Sequence, residues 1–296
     1  MNFLYFLAEH RTAWLNVFFQ GVTYLGQEGL VIAIVCWLYW CANKRLAFTL
    51  GFSYFTSGLL IQGMKVTLRV PRPWILDPQF QPVHSALAGA TGYSFPSGHT
   101  QSITALMGTF FFYTKNKIAK LLCILTILLV GFSRMYLGCH TPQDVCAALI
   151  LSVICVYLCI RLFMNPRNMQ HSPKTLSVIM GCICLGLLVY VLQLYHMETL
   201  PSVYASDCIK ACGAGTAFAL GYYIEETHIR FSPPASSGSK IIRFMTGLAV
   251  TLVLQTGLKP VLGTSFPADF LRYFLNVCWV MFLYPMLFKK TKSSRI

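Results

Sequence analysis

Long blocks of apolar residues alternate with short polar clusters along almost the whole chain. A run of about 17–25 mostly apolar residues has the length of a helix that crosses a bilayer, so each block is interpreted as a membrane span. The expected fold class is therefore all-α, a polytopic transmembrane helical bundle. The pattern predicts nine spans: 28–43, 46–66, 97–114, 118–138, 144–163, 174–195, 206–224, 243–262 and 270–288.

The regions outside these spans have a different composition. Residues 3–25 mix aromatic side chains with Glu9, His10 and Arg11, which favours a helix in the membrane interface, with a tenth span as the alternative. No basic start followed by a compact apolar region is present, so no cleavable signal peptide is predicted. Residues 67–96 contain five prolines and predict a non-helical loop, whereas 225–242 predict a flexible linker.

The composition excludes an ordinary soluble domain. Hydrophobic residues make up 56% of the 296 residues, charged residues only 11%, and the mean hydropathy is +0.61. Soluble domains carry roughly a quarter charged residues, which is more than this chain has to cover a water-facing surface. The composition therefore supports an integral membrane protein.

The net charge of +14 is interpreted as a topology signal, and no nucleic-acid partner is expected. Basic loops stay in the cytoplasm, which places the N-terminus outside and the C-terminus inside. Fifteen of the 23 basic residues fall on the predicted cytoplasmic side: Lys44, Arg45, Lys115, Lys117, Lys120, Arg161, Arg167, Lys174, Arg230, Lys240, Arg243, Lys289, Lys290, Lys292 and Arg295.

The twelve cysteines do not indicate a metal site or a disulfide framework. Most lie inside predicted spans, where a thiol behaves as a small apolar side chain. Cys182 and Cys184 have no second pair at zinc-ligand spacing. Cys208 and Cys212 are one helical turn apart and are able to face one another. We expect neither a metal nor a disulfide role for these residues.

Polar clusters stand at three span ends, all on the predicted extracytoplasmic side. Ionisable groups in membrane spans are costly and usually have a function. The first cluster, residues 65–73, leaves the second span and contains Lys65, Arg69 and Arg72. Taken alone, Lys65 and Arg69 fit equally well as anchors that extend to the interface.

The second cluster, residues 93–100, begins the third span. Ser97 suits the helix cap, which leaves the amides of Gly98 and His99 without partners and directed at the loop. A helix start of this kind attracts phosphate through its free N–H groups and the positive end of its dipole. A simple cap explains Ser97 but does not explain the histidine two residues later.

The third cluster, residues 133–144, joins the fourth and fifth spans. Thr141 is the expected helix cap and Pro142 the first helical residue, where its missing N–H costs nothing. His140 then lies just outside the helix and Asp144 in its first turn. Asp144 suits both the helix dipole and a role in holding one imidazole nitrogen of His140, and the two interpretations are compatible.

Together the clusters contain Lys-x6-Arg-Pro, Pro-Ser-Gly-His and Ser-Arg-x5-His-x3-Asp in this order. This combination resembles the signature of the type 2 phosphatidic acid phosphatase superfamily, directly over residues 65–144 and, with the flanking spans, to about 163. All eleven specified positions are matched: Lys65, Arg72, Pro73, Pro96, Ser97, Gly98, His99, Ser133, Arg134, His140 and Asp144.

The resemblance implies a phosphatase that needs no metal and no cofactor and that forms a covalent phosphohistidine. His140 would be the nucleophile, oriented by Asp144, while His99 would protonate the leaving oxygen and then activate water. Cations and hydrogen-bond donors would stabilise the transferring phosphoryl group. These phosphate-binding groups are Lys65, Arg72 and Arg134 together with Ser97 and the amide of Gly98.

The layout around the motifs leaves the branch of the superfamily open. Four spans after the third cluster resemble the glucose-6-phosphatase branch and the sphingosine-phosphate phosphatases, whereas Asp144 is more typical of the lipid-phosphatase and haloperoxidase branches. The predicted organisation is an N-terminal interfacial segment (1–27), a phosphatase core (28–163) and additional transmembrane helices (164–296).

A lipid phosphate monoester or pyrophosphate is the expected substrate, because groups at span ends lie at headgroup depth. Trp74, Tyr93 and Phe95 suit an entry from the interface. A water-soluble phosphate ester is the second candidate, and a phosphotransferase shares the same first half-reaction. The expected location is the plasma (cell inner) membrane with an extracytoplasmic site. The sequence does not indicate an oligomeric state.

A transporter is the alternative from another functional class, because polar residues near span ends of the second half would line a path. A soluble vanadium haloperoxidase has a similar site but no membrane spans. The residues that would line a transport path are Asp207, Lys210, Lys259, Asp269 and Arg272.

Overall fold

The computed structural model describes residues 1–164 and 172–288, and every regular element within them is helical. The all-α class is therefore confirmed. The helices are α1 (Asn2–Glu9), α2 (Ala13–Tyr24), α3 (Glu28–Trp37), α4 (Lys44–Leu68), α5 (Pro73–Leu76), α6 (Gly98–Tyr113), α7 (Lys117–Tyr136), α8 (Pro142–Phe163), α9 (Pro173–His196), α10 (Ser202–Ile224), α11 (Ser237–Leu262), α12 (Phe266–Cys278) and α13 (Tyr284–Met286).

Polar side chains cap the starts of the helices that carry the motifs. Ser97 accepts a hydrogen bond from the amide of Thr100 at the start of α6, as the sequence predicts. Thr141 and Asp144 form a reciprocal capping box at the start of α8, with Pro142 as the first helical residue. These caps end the loops at fixed points and therefore determine where the motif residues lie.

Helices occupy all nine predicted spans, and the largest shift is at α11, which begins at Ser237 rather than at 243. Within residues 1–164 and 172–288, five helices are long and apolar enough to cross a membrane: α7, α8, α9, α11 and the segment Phe266–Met286. A sixth is counted if α2 and Glu28–Ala42, which meet at a bend of 41°, form one broken span. The count of nine spans stays a prediction.

The helices α4 and α10 are long enough but not apolar enough to be counted, whereas α6, with 16 residues, is too short. They lie in the interior of the bundle, where they face other helices rather than lipid and are able to carry polar side chains. Gln101 of α6, for example, donates a hydrogen bond of 2.8 Å to the buried hydroxyl of Ser57 on α4. Hydropathy alone underestimates such interior helices.

Three predictions about the connecting segments need correction. The loop 67–96 is not fully irregular, because it contains α5 and a 3₁₀ turn at His84–Gly89. Residues 225–242 are not one linker, since a π-helical turn continues α10 and α11 begins at Ser237. The N-terminal segment is two helices, the second of which pairs with α3 across the 41° bend.

The basic residues Arg167, Lys289, Lys290, Lys292 and Arg295, which the sequence places on the cytoplasmic side, lie outside the described residues.

The C-terminal helices pack closely on the rest of the bundle. A Cβ atom at Gly213 of α10 would lie 2.4 Å from the carbonyl oxygen of Phe270, and one at Gly221 would lie 2.3 Å from the Cβ of Met281. Because glycine has no side chain, α10 is able to pack closely against α12 and against the helical turn that follows it at Trp279–Leu283. On its other side α10 packs against α4, so its N-terminal end lies beside the end of α4 that carries Lys65.

Candidate active site

A small cavity of about 140 Å³ lies where the end of α4 meets the starts of α6, α8 and α10; we call it the phosphate cavity. Four separate stretches of the chain converge there. Five of the eight predicted site residues line its wall: Lys65, Arg72, Gly98, His99 and His140.

Arg72 connects the loops that carry the two histidines. Its Nη1 donates a hydrogen bond of 3.0 Å to the carbonyl of Cys139 and lies 2.8 Å from Nε2 of His140. Its Nε and Nη2 donate to the carbonyls of Gly92 and Thr91. Burial lowers the pKa of Arg72 to about 10, so the guanidinium remains charged at neutral pH. The protein thus holds a cation directly beside one imidazole nitrogen.

The other nitrogen of His140 faces a carboxylate and a hydroxyl. Nδ1 lies 3.4 Å from Oδ2 of Asp144 and 3.5 Å from Oγ of Ser94, both long for a hydrogen bond. The same Oδ2 accepts short hydrogen bonds from Ser94 Oγ, at 2.6 Å, and from the amide of Thr141, at 2.7 Å. Asp144 therefore caps α8 and faces the imidazole at the same time, in agreement with the two compatible roles predicted from the sequence.

His140 is held in its neutral form. Burial lowers its pKa well below the usual value of 6.5, and the positive charges of Arg72, Arg134 and Lys65 lower it further. A proton on Nδ1 faces Asp144 and Ser94, which leaves the Nε2 lone pair directed at Arg72 and the cavity. A neutral imidazole with this orientation is able to act as a nucleophile.

His99 and Lys65 complete the wall of the phosphate cavity. Lys65 Nζ donates a hydrogen bond of 3.0 Å to the carbonyl of Tyr93. Nε2 of His99 is buried and has no hydrogen-bond partner within the described part of the chain. This unsatisfied ring nitrogen is available for a hydrogen bond or a proton exchange with a group bound in the cavity.

Three predicted site residues lie behind the wall of the phosphate cavity: Ser97, Arg134 and Asp144. Arg134 Nη1 donates a hydrogen bond of 2.9 Å to Thr23 Oγ1, and its Nε and Nη2 have no partner among residues 1–164 and 172–288. The amide of Ser97 donates to the backbone carbonyl of Asp144 at 3.1 Å, which ties the start of α6 to the start of α8. Direct phosphate contacts by Ser97 and Arg134 stay a prediction.

The structure adds Ser94, Tyr204 and Asp207 to the surroundings of the predicted site residues. Ser94 lies two residues before the Pro-Ser-Gly-His motif, so its position beside a motif was an available signal. Tyr204 and Asp207 line the phosphate cavity from the first turns of α10, about sixty residues beyond the last motif. Asp207 was considered only as part of a transport path, because no local pattern connects α10 with the motifs.

The side chains that commonly bind metal ions form no metal-binding cluster in the described structure. Over residues 1–164 and 172–288, no three His, Cys, Asp or Glu side chains are arranged to hold a metal ion. All twelve cysteines, including Cys208 and Cys212, are free thiols. The positive charge around the cavity comes from side chains and from the start of α6, which together form a site for an anion.

Replacing Ser94 by Ala is expected to lower kcat by about 10- to 100-fold, because Asp144 loses a short hydrogen bond and Nδ1 of His140 loses a neighbour that fixes the ring. The KM should change little, since Ser94 does not line the cavity. Steady-state kinetics of Ser94→Ala and of Ser94→Thr, which keeps the hydroxyl, would measure the effect. Equal losses in both variants would argue against a role for the hydroxyl.

Comparison with known proteins gives matches over both halves of the chain. Residues 45–168 match the PAP2 superfamily, and residues 209–295 match the family described as PAP2 superfamily phosphatase, transmembrane extension. Undecaprenyl-diphosphatase BcrC of Bacillus subtilis (strain 168) is 29% identical over 168 residues, covering 54% of this chain and 83% of that protein.

Two further similarities come from a eukaryotic relative and a solved structure. A probable sphingosine-1-phosphate phosphatase of Dictyostelium discoideum is 30% identical over 163 residues, which are 50% of this chain and 38% of that protein. The crystal structure of Aquifex aeolicus LpxE superimposes with a TM-score of 0.48 at 23% identity, over 53% of this chain and 92% of that chain.

Proposed function

The chain belongs to the PAP2 superfamily, and from this premise we propose that it is a metal-independent membrane phosphatase that hydrolyses a lipid phosphate or pyrophosphate through a phosphohistidine on His140. The observation that carries the proposal is the phosphate cavity itself. One wall combines a neutral histidine, a second buried histidine and the cations Lys65 and Arg72. A phosphoryl group needs this combination of nucleophile, proton donor and positive charge.

The reaction proceeds in two displacements. Nε2 of His140 attacks phosphorus, the bond to the leaving oxygen breaks, and His99 gives that oxygen its proton. Arg72, Lys65 and the amide of Gly98 stabilise the equatorial oxygens, with Ser97 and Arg134 in support. His99 then removes a proton from water, which attacks phosphorus and releases phosphate and neutral His140. Asp144 stabilises the imidazole while it carries the phosphoryl group.

The lipid substrate is supported by two observations. The site residues lie at helix ends in a bundle with several membrane-crossing helices, where a lipid presents its headgroup. The relatives named above are called an undecaprenyl-diphosphatase and a probable sphingosine-1-phosphate phosphatase. A phosphotransferase would share the first displacement, with an alcohol in place of water in the second.

The extracytoplasmic location of the site is supported by the distribution of basic residues. Lys44 begins α4 at the end opposite Lys65, and Arg243 lies near Trp40 at that same opposite end. Basic residues at the far end from the site agree with a cytoplasmic face there and with a plasma-membrane location. In the proposed organisation, 1–27 is the N-terminal segment, 28–163 forms the catalytic core and 164–296 adds helices, of which α10 completes the cavity wall.

Phosphate release from a substrate panel tests the function. The detergent-purified protein is expected to hydrolyse at least one of phosphatidic acid, phosphatidylglycerophosphate, undecaprenyl pyrophosphate, sphingosine phosphate and glucose 6-phosphate. The rate should be the same in EDTA, since no step uses a metal. Added Mg²⁺ serves as the matched condition, and a rate that depends on it, or no release from any substrate, would contradict the proposal.

The lowered pKa of His140 predicts its protonation state in the free protein. A histidine with a lowered pKa stays neutral until the pH falls below that pKa, so His140 should remain uncharged at pH 6.5, where an ordinary histidine is half protonated. NMR of histidine-labelled protein would show this directly. The resonance missing from the spectrum of His140→Asn identifies the residue. A midpoint at or above 6.5 would contradict the prediction.

A further inference from the structure

A second and larger cavity adjoins the phosphate cavity among α10, α11 and α12; we call it the side chamber. Its volume is about 610 Å³, and it shares Thr91 and Asp207 with the phosphate cavity. Two cavities with common wall residues are direct neighbours. A substrate whose phosphate occupies the first cavity is therefore able to extend its leaving group into the side chamber.

Most residues in the wall of the side chamber have polar side chains, although carbon atoms contribute more than half of its surface. Eleven of its fourteen lining residues carry polar side chains, among them Gln255, Tyr273 and several charged groups. Polar side chains are costly between membrane helices and mark binding sites or pathways. An acyl or prenyl chain would cover these polar groups without offering them hydrogen bonds, which costs free energy. The side chamber is thus suited to a polar part of a ligand.

The charges in this wall are already balanced in pairs. Arg272 donates to Asp269, which also accepts a hydrogen bond from Ser206, and Lys210 Nζ lies 3.2 Å from Oδ1 of Asp207. A paired carboxylate keeps lone pairs to accept further hydrogen bonds. Nε of Arg272, nine-tenths buried, has no partner within the described residues and is a free donor.

A hydroxyl group matches this wall better than a charged group does. It donates to a carboxylate oxygen and accepts from a cationic N–H without disturbing the existing pairs. A ligand ammonium would compete with Lys210 and Arg272 for the carboxylates. A ligand anion would compete with those carboxylates for the cations, leaving only Lys259, which is exposed at the wall, as an unpaired positive charge.

We propose that the side chamber binds the hydroxyl-bearing part of the leaving group, so that the substrate is the phosphate monoester of a polyol. This inference rests on the proposed function, because the phosphate cavity must hold the phosphate. A lipid with a polyol headgroup and a free sugar phosphate share this chemistry. The C-terminal helices thereby select the substrate, while the motif residues carry out the reaction.

Water-soluble probes test the inference without interference from detergent. His140→Ala protein, which cannot turn the probes over, is titrated calorimetrically with orthophosphate, ethyl phosphate, glycerol 3-phosphate, glucose 6-phosphate, phosphoethanolamine and pyrophosphate. Glycerol 3-phosphate and glucose 6-phosphate are expected to bind about tenfold more tightly than ethyl phosphate, the effect of one added hydrogen bond to a charged group.

Variants locate this gain in the side chamber. The double variant Asp269→Asn, Arg272→Gln removes both charges of the pair and keeps a polar side chain at each position. It should erase the preference for the polyol phosphates and leave the affinities for orthophosphate and ethyl phosphate unchanged. Ser206→Ala is a milder second variant if the double variant does not fold. Lys174→Gln, an exposed change at the start of α9, is the control and should bind like the parent.

The outcomes separate the inference from the proposed function. Equal binding of ethyl phosphate and the polyol phosphates would overturn the inference alone. Tighter binding of phosphoethanolamine than of the polyol phosphates would also overturn it, because that result indicates an amine site. Tighter binding of pyrophosphate would overturn it as well, because that result indicates a second phosphate site. Failure of orthophosphate to bind would overturn the proposed function and the inference with it. Turnover of phosphatidylglycerophosphate or of glucose 6-phosphate by active protein then distinguishes a lipid from a soluble polyol phosphate.

Discussion

The variant His140→Ala is expected to lose at least about 10⁴-fold in kcat on every substrate that the protein hydrolyses. The physical reason is that Nε2 of His140 forms the covalent bond to phosphorus, whereas His99, the other histidine in the wall of the phosphate cavity, is assigned to proton transfer. The remaining cations would still bind the substrate, so its affinity should fall much less than kcat.

Covalent labelling distinguishes loss of the nucleophile from general damage. Brief incubation with a ³²P-labelled substrate should leave acid-labile, base-stable label on the parent protein and none on His140→Ala. His196→Ala, an exposed histidine in the last turn of α9, is the matched control and should label like the parent. Label or turnover in His140→Ala would show that the phosphoryl group is carried elsewhere or is never covalently bound.

The second large effect is expected for His99→Ala, and it depends on the leaving group. An alkoxide leaves poorly without a proton, so turnover of alkyl phosphates should fall by about 10²- to 10⁴-fold. Nitrophenolate leaves without help, so p-nitrophenyl phosphate should still phosphorylate His140. The water that attacks the phosphohistidine would then lack the base that His99 provides, so the phosphohistidine should accumulate.

Stopped-flow measurements with p-nitrophenyl phosphate test this separation of steps. His99→Ala should release a burst of close to one nitrophenol per protein molecule, followed by a slow phase. His140→Ala should give no burst, which distinguishes the acid–base residue from the nucleophile. If His99→Ala slows both classes of substrate equally and shows no burst, His99 does not act in the way proposed.

The fold was predictable where a local pattern determines it. Apolar blocks located helices at all nine predicted spans, and residues such as Thr141 and Pro142 determined a helix start, because capping involves only neighbours in sequence. The number of spans is harder to predict. Interior helices such as α4 carry polar residues that face other helices, so their mean hydropathy is low. The helices α2 and α3 meet at a bend, and hydropathy does not show whether they form one span or two.

The catalytic chemistry was equally visible, since the motifs bring together residues whose types and spacing suit phosphoryl transfer. The sequence could not show that Arg72 binds the loops before α6 and α8 and lies 2.8 Å from His140. It also could not show that the Ser94 hydroxyl lies beside both Asp144 and His140. Side-chain orientation depends on how three loops pack, and this packing leaves no periodic trace in the chain.

The sequence by itself determined the class of fold, the membrane environment and the chemical identity of the site residues, because these depend on local composition and spacing. Only the tertiary structure decided which of those residues line the phosphate cavity, with Arg134, Ser97 and Asp144 behind its wall. It also brought Tyr204 and Asp207 of α10 into that wall and formed the side chamber. These features arise from contacts between helices far apart in sequence, where the glycine contacts of α10 determine how closely the last helices approach.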